Sequence, residues 1–174
     1  MRERPSEWIF ETTVLSAFAL VKRLDLLEDR YAGRAHWCLE VHHEVLAGIS
    51  GRPRLGDVIG ATWLGQPIQS FAVDRIERMR QRLGGGAADD RHRGEAASIV
   101  LAIDNDWIVA TDDRDATRLA RAEGLRTIGT PRILQACVRG GQLSAAEAVG
   151  LLGEMIDGHG RRLPRLTEEF FEDG

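Results

Sequence analysis

Lysine is nearly absent from this chain: Lys22 is the only one, and the other cationic side chains, histidines aside, are all arginine. Codon bias of a GC-rich genome explains such a skew, and guanidinium groups also clamp phosphates in a two-pronged fork that an ammonium cannot form. Cysteine is scarce too. Cys38 and Cys137 each lie among apolar residues without C-x-x-C spacing, which argues against a disulfide framework or a zinc knuckle and suits a reducing compartment. No apolar run approaches the ~20 residues that a membrane-spanning helix needs. Glu3, Glu7, Glu11, Asp25, Glu28 and Asp29 crowd the first thirty residues, a density that no secretory signal tolerates. These absences predict a cytoplasmic protein with no membrane partner.

Two chemical signatures are missing as well. A glycine-rich phosphate loop would join a strand to a helix, but Gly84-Gly85-Gly86 follows a helix, so P-loop and dinucleotide enzymes are excluded. His42-His43 stands beside Glu44 without the H-E-x-x-H spacing of a zinc hydrolase.

What is present describes one ordinary domain. The chain has 174 residues, 43% hydrophobic and 29% charged, long enough to bury a core without covalent staples. No low-complexity tract interrupts it. The net charge of -4 offers no global attraction to nucleic acid, so a polyanion must be met by a local basic patch.

Apolar periodicity predicts alternating elements. Trp8-Ile9-Phe10 reads as a strand, and Thr12-Thr13 as caps of a helix running through Val14, Leu15, Phe18, Val21 and Leu24. Ala35 to Cys38 reads as a strand and Leu39 to Ile49 as a helix carrying Glu40 and Glu44 on one face. Arg54 to Gln69 yields only a short helix, with an extended stretch near Ile68 to Ala72. Val73, Ile76, Met79 and Leu83 form the stripe of another helix, with Arg78, Arg80 and Arg82 as its solvated face. The segment after Gly94 leaves no polar face between Ile99 and Ile103 and is predicted to be a buried helix. Trp107 to Thr111 and Leu125 to Ile128 read as strands around a helix from Arg114 to Glu123, an alternation that argues for a parallel sheet. Thr130-Pro131 opens a further helix, and Ser144-Ala145-Ala146-Glu147 is a capping box opening the last.

In a parallel sheet, ligands gather at the carboxyl ends of the strands. Glu11 and Asp112-Asp113 directly follow two predicted strands. Asp113 also suits a helix N-cap, and Glu95 a first helical turn, so neither demands a functional role by itself. Brought together, however, carboxylates raise one another's pKa, a cost that a cation relieves, and hard oxygen ligands select magnesium or manganese over zinc.

Four of these segments carry a resemblance. Glu11-Thr12-Thr13-Val14-Leu15 is similar to the Asp-Thr-Ser-Val-Leu opening of PIN-domain proteins, and Val41 to Leu46 resembles their second acidic helix. Gly94-Glu95-Ala96-Ala97-Ser98-Ile99 and Ala110-Thr111-Asp112-Asp113-Arg114 resemble the later acidic motifs, with Gly124-Leu125 and Gly129-Thr130 following in the family's order. The likeness spans residues 7 to 140; no motif supports 51–90. It implies an α/β fold, a three-layer α/β/α PIN-like domain with a central, mostly parallel sheet of four to five short strands. The domain would occupy residues 1–160, leaving 161–174 as a polar C-terminal tail.

The resemblance further implies a metal-dependent nuclease with Glu11, Glu44, Glu95, Asp112 and Asp113 as catalytic acids, of which Glu11, Glu95 and Asp113 hold Mg2+ or Mn2+. Thr12, Arg91, Arg93 and Arg114 are the candidate substrate contacts. The reaction would be hydrolysis of RNA phosphodiester bonds. Proteins of this size in the family include toxins of bacterial toxin-antitoxin pairs, which implies a small antitoxin partner and admits a homodimer. One departure is chemical: Glu11 stands where the family has aspartate, and its extra methylene moves the carboxylate outward by about one bond. The alternative is a catalytically weak or inactive PIN-like protein that binds nucleic acid or a partner. A receiver-like phospho-acceptor domain is disfavoured, because its acidic pair follows the first strand and its lysine lies near the last, whereas Lys22 lies near the first.

Overall fold

The computed structural model describes residues 6–86 and 91–173. Four short strands form one all-parallel sheet in the order β2-β1-β3-β4, where β1 is Trp8–Phe10, β2 Ala35–His36, β3 Ile108–Ala110 and β4 Thr127–Ile128. Helices flank the sheet in an α/β/α arrangement, as the alternating pattern requires. β1 and β3 pair in the register Ile9 opposite Val109 and Phe10 opposite Ala110, and all four of these side chains are buried. Such strands cannot alternate polar and apolar residues, because helices cover both faces.

Helix α1 (Thr12–Leu20) stops four residues before the end that apolar spacing suggests. Lys22 takes φ +57°, the Lys22 N–H donates to Ala19 O at 3.0 Å and the Arg23 N–H to Phe18 O at 2.9 Å. This pair of bonds closes the helix in the manner usually left to glycine. A separate helix, α2 (Leu24–Tyr31), then turns Leu26, Leu27 and Tyr31 inward. Periodicity runs straight through this break, since Leu24 continues the spacing although the axis does not.

Helix α3 (Leu39–Gly48) follows β2. The segment after it folds as two short 3-10 turns around α4 (Gly56–Ile59), and of the extended stretch near Ile68 a single bridge to Cys38 forms. Helix α5 (Val73–Arg82) buries Ile76 and Met79, with Leu83 behind, but Val73 is exposed. Arg80 departs from the solvated face: it is 3% exposed and donates to Glu77 at 2.9 Å and 2.7 Å, a paired charge being the form in which a guanidinium is buried. Helix α6 (Arg93–Asn105) has every residue from Ala96 to Ala102 buried, in keeping with its lack of a polar face.

Helix α7 (Arg114–Ala122) lies between β3 and β4, and α8 (Thr130–Arg139) and α9 (Ala145–Gly153) follow. Ser144 and Glu147 close the capping box in both directions, at 2.7 Å and 3.2 Å. Among the described residues no helix is long and apolar enough to cross a membrane.

Residues 161–173 depart from a polar tail. They end in α10 (Glu168–Glu172), which packs on α8 and α9 and buries Phe171 completely. Gln135 Nε2 donates to the carbonyls of Phe170 and Asp173 at 2.6 Å and 2.7 Å, and the Arg132 guanidinium stands 5.0 Å from the Phe170 ring centre. Two adjacent phenylalanines in an acidic run are a weak periodic signal, and only the surface waiting on α8 makes them core. Phe171→Ala is expected to cost about 3–5 kcal/mol of stability, read as a lowered midpoint in urea; an unchanged midpoint would mean that the C-terminal helix is dispensable packing.

Candidate active site

Parallel pairing delivers β1 and β3 to the same edge of the sheet, so Glu11 and Thr111-Asp112-Asp113 emerge side by side. The Glu11 N–H donates to Ala110 O at 3.2 Å, and the Asp112 N–H donates to the Thr13 hydroxyl at 3.0 Å. The two acidic turns are therefore stitched together by one backbone–backbone bond and one bond from backbone to the Thr13 hydroxyl.

Glu11 occupies the N-cap position of α1 yet makes no capping bond with its side chain. It is 1% exposed, and its Oε1 is buried without a hydrogen-bond partner. Burial holds its pKa well above the ordinary carboxylate value, and the charges of Glu95, Asp113, Asp112 and Glu44 add to the rise. Glu95, in the first turn of α6, is also shifted upward by burial and by Glu44 and Asp113, with its own backbone and His92 opposing. His92 Nδ1 lies 3.6 Å from Glu95 Oε1.

The other acids carry structural duties. Glu44, rather than Glu40 one turn earlier, reaches the site: its Oε1 accepts the Gly94 N–H at 2.9 Å, and its Oε2 accepts a short bond from the Thr12 hydroxyl. A Cβ at position 94 would stand 2.6 Å from both carboxylate oxygens, so glycine is required there for close approach. Asp112 clasps Thr130, accepting from its N–H at 2.7 Å and its hydroxyl at 2.6 Å. Burial raises the Asp112 pKa, while those two bonds and Arg161 restrain it. Asp113 caps α7, its Oδ1 accepting from the Ala116 N–H at 2.8 Å.

Three hydroxyls that resemble helix caps in the sequence thus serve the acids instead. Thr12 binds Glu44, Thr13 holds the Asp112 backbone and Thr130 binds Asp112, while the cap positions fall on Glu11 and Gly129. Among the described residues no three His, Cys, Asp or Glu side chains stand together as a ready-made metal shell. The acids share an electrostatic neighbourhood, but Glu44, Asp112 and Asp113 spend oxygens on hydrogen bonds. The buried, partnerless Oε1 of Glu11 and the raised value of Glu95 are what a cation would relieve, so the donor set fits a hard divalent ion.

Of the candidate substrate contacts, Thr12 lines a hollow beside Glu44, and Arg114 is exposed at the start of α7 beside Asp113. Asp115, a plausible partner for Arg114 by sequence, pairs with Arg118 at 2.8 Å. Arg91 and Arg93 are exposed at the entry to α6. Arg161 was invisible as a site residue because it lies in the predicted tail. Its Nη2 donates to Thr13 O at 2.8 Å. Burial lowers its pKa, Arg52 lowers it further, and Asp112 and Glu11 oppose the shift.

The parallel four-stranded sheet flanked by helices, with acids emerging at one edge, defines a three-layer α/β/α domain. The family model DUF3368, described as a PIN domain, matches residues 7–172, and the chain belongs to the PIN-domain family, a family of nucleases. Among solved structures, PAE2754 from Pyrobaculum aerophilum is similar in fold, with a TM-score of 0.52 at 16% identity, covering 79% of this chain and 98% of that one. No curated protein gives a significant match.

The Glu11 carboxyl holds its proton more tightly in the folded state than in the unfolded chain. Its contribution to stability therefore falls as pH rises above the ordinary carboxylate range towards its raised value. Glu11→Gln is expected to flatten that slope and to raise the melting temperature of the metal-free protein at neutral pH by a few degrees, about 2–4 °C per kcal/mol. A lower melting temperature with the slope unchanged would show that Glu11 is not a strained charge.

Proposed function

We propose that the protein is a magnesium- or manganese-dependent ribonuclease that hydrolyses internal phosphodiester bonds of RNA, acting as the toxin of a toxin-antitoxin pair. The observation that carries the nuclease reading is the buried Glu11 carboxylate, which has a partnerless oxygen and four further acids within electrostatic range. Glu11, Glu95 and Asp113 would hold the ion. When bound, it supplies positive charge that orients a scissile phosphate and lowers the pKa of an attacking water.

The remaining residues act on their own account. Glu44 keeps Thr12 and the start of α6 in place, fixing the approach of Glu95 to Glu11. Asp112 ties the end of β3 to the start of α8 through Thr130, which aims Asp113 along the same edge. Arg161 and Arg114 offer guanidinium groups to phosphate oxygens next to the acids. The toxin reading is supported by fold and size analogy alone, with a small antitoxin and a second copy of the chain as its partners. The competing reading, a PIN-like binder without turnover, is favoured by the glutamate at position 11, whose longer arm changes metal geometry.

Single-stranded RNA incubated with manganese is expected to be degraded, and Asp113→Asn to lose at least tenfold of that activity; intact RNA in every divalent metal would support the binder instead. Gly94→Ala gives an independent check. The added methyl displaces the flexible Glu44 carboxylate rather than backbone, so cleavage should drop while the melting temperature moves by only a few degrees. Full activity in Gly94→Ala would mean that the Glu44 clasp is irrelevant to cleavage.

A further inference from the structure

The chain returns to the acidic edge after α9. That helix ends in a single π-helical turn, Glu154–Gly158, whose Met155 is fully buried. The Gly160 N–H donates to Ile156 O and the Arg161 N–H to Met155 O, each at 3.0 Å, and Gly160 takes φ +63°, a left-handed turn that glycine makes without strain. Downstream, Leu163 packs on the core, Arg165 Nη1 donates to Asp157 Oδ2 at 3.1 Å, and α10 seats Phe171. Residues 160–166 are therefore a strap fixed at both ends.

The strap turns Arg161 inward. Arg161 is half-buried, and among the described residues its one protein acceptor is the neutral Thr13 carbonyl, met by Nη2 at 2.8 Å. It forms no contact ion pair there, yet Asp112 and Glu11 lie within its electrostatic range, and it lines a small hollow together with Thr13, Asp112 and Asp113. Thr13 faces both ways, since its hydroxyl accepts the Asp112 N–H at 3.0 Å. Burial lowers the Arg161 pKa more than the two acids raise it, and Arg52 adds to the fall. The guanidinium thus gains less from this position than it gives up by leaving water, and the anchored strap is what holds it there.

Gathered carboxylates need positive charge nearby, and Arg161 supplies it without any bound ion. A divalent ion at Glu11, Glu95 and Asp113 would bring two positive charges to one point, and a guanidinium fixed within range opposes their arrival. We propose that Arg161 is a tethered counter-cation, which takes the electrostatic place of the divalent ion in the metal-free chain and is displaced from Thr13 and the acids when the ion binds. The strap thereby sets how tightly metal is held. This inference rests on the metal-binding reading above.

Binding is read directly from the electron paramagnetic resonance signal of free Mn2+, with no RNA present and at mildly alkaline pH, where the ion displaces fewest protons. Arg161→Gln should bind manganese several-fold more tightly than the parent, and Arg161→Lys, which keeps the charge, should stay close to it. Arg118→Gln removes an exposed charge on α7 that pairs with Asp115 and should leave affinity unchanged. A residue that merely braces the fold would weaken metal binding on removal. Equal or weaker binding by Arg161→Gln overturns the proposal, as does equal tightening in Arg161→Lys or Arg118→Gln. Should Arg161→Gln fail to fold, the parent decides: manganese should speed the modification of Arg161 by phenylglyoxal, followed by peptide mass spectrometry, and an unchanged rate at saturating metal counts against displacement. RNA cleavage with manganese separates the two ideas. Tightening in Arg161→Gln with RNA left intact by the parent keeps the counter-cation and sinks the nuclease reading. Cleavage by the parent with affinity unmoved does the reverse, and no manganese binding in parent or variant overturns both.

Discussion

A carboxyl group taken out of water at the end of a β-strand must either keep its proton or meet a cation, and Glu11 is held in that condition. Its position is imposed from three directions. The strand before it is locked in register with β3, its own N–H is bonded to Ala110, and α1 begins at the next residue. None of these constraints can relax without opening the sheet, so the side chain cannot escape to solvent. Ionising this carboxyl in the metal-free protein consequently costs folding stability.

Around that fixed group the other acids divide the work. Glu44 and Asp112 each accept two hydrogen bonds and behave as braces, one reaching from α3 to α6 and the other from β3 to α8. Asp113 combines a cap on α7 with proximity to Glu11 and Glu95. Threonine is the residue that makes this possible, since its short hydroxyl arm bonds a neighbouring carboxylate without leaving the helix start where it resides. The C-terminal segment completes the neighbourhood by bringing a partly buried guanidinium against Thr13. That cation stands within electrostatic range of Asp112 and Glu11.

Much of this was legible without coordinates. The strands and buried α6 follow from apolar runs, the capping box at Ser144 from four adjacent residues, and the acids Glu11, Glu95 and Asp112-Asp113 from their places after strands or at a helix start. Periodicity failed where two elements share one spacing, as at Lys22, whose left-handed backbone splits a single apolar stripe into α1 and α2. It failed again for Arg80, buried because Glu77 is one turn away, and for Phe171, core only because α8 and α9 leave room for it.

The sequence by itself determined the layered parallel fold, its family and the acids that follow the strands, because these depend on local patterns that survive in one dimension. Tertiary structure alone decided that Glu44 and not Glu40 meets Gly94, that Thr12, Thr13 and Thr130 serve carboxylates rather than helix ends, and that Arg161 belongs to the site. Those outcomes are contacts between segments 18 to 148 residues apart, and no spacing rule along the chain encodes a distance that only the packed sheet creates. The converging acids are therefore a property the sequence announces by type and the fold realises by position. Glu11 is where both meet.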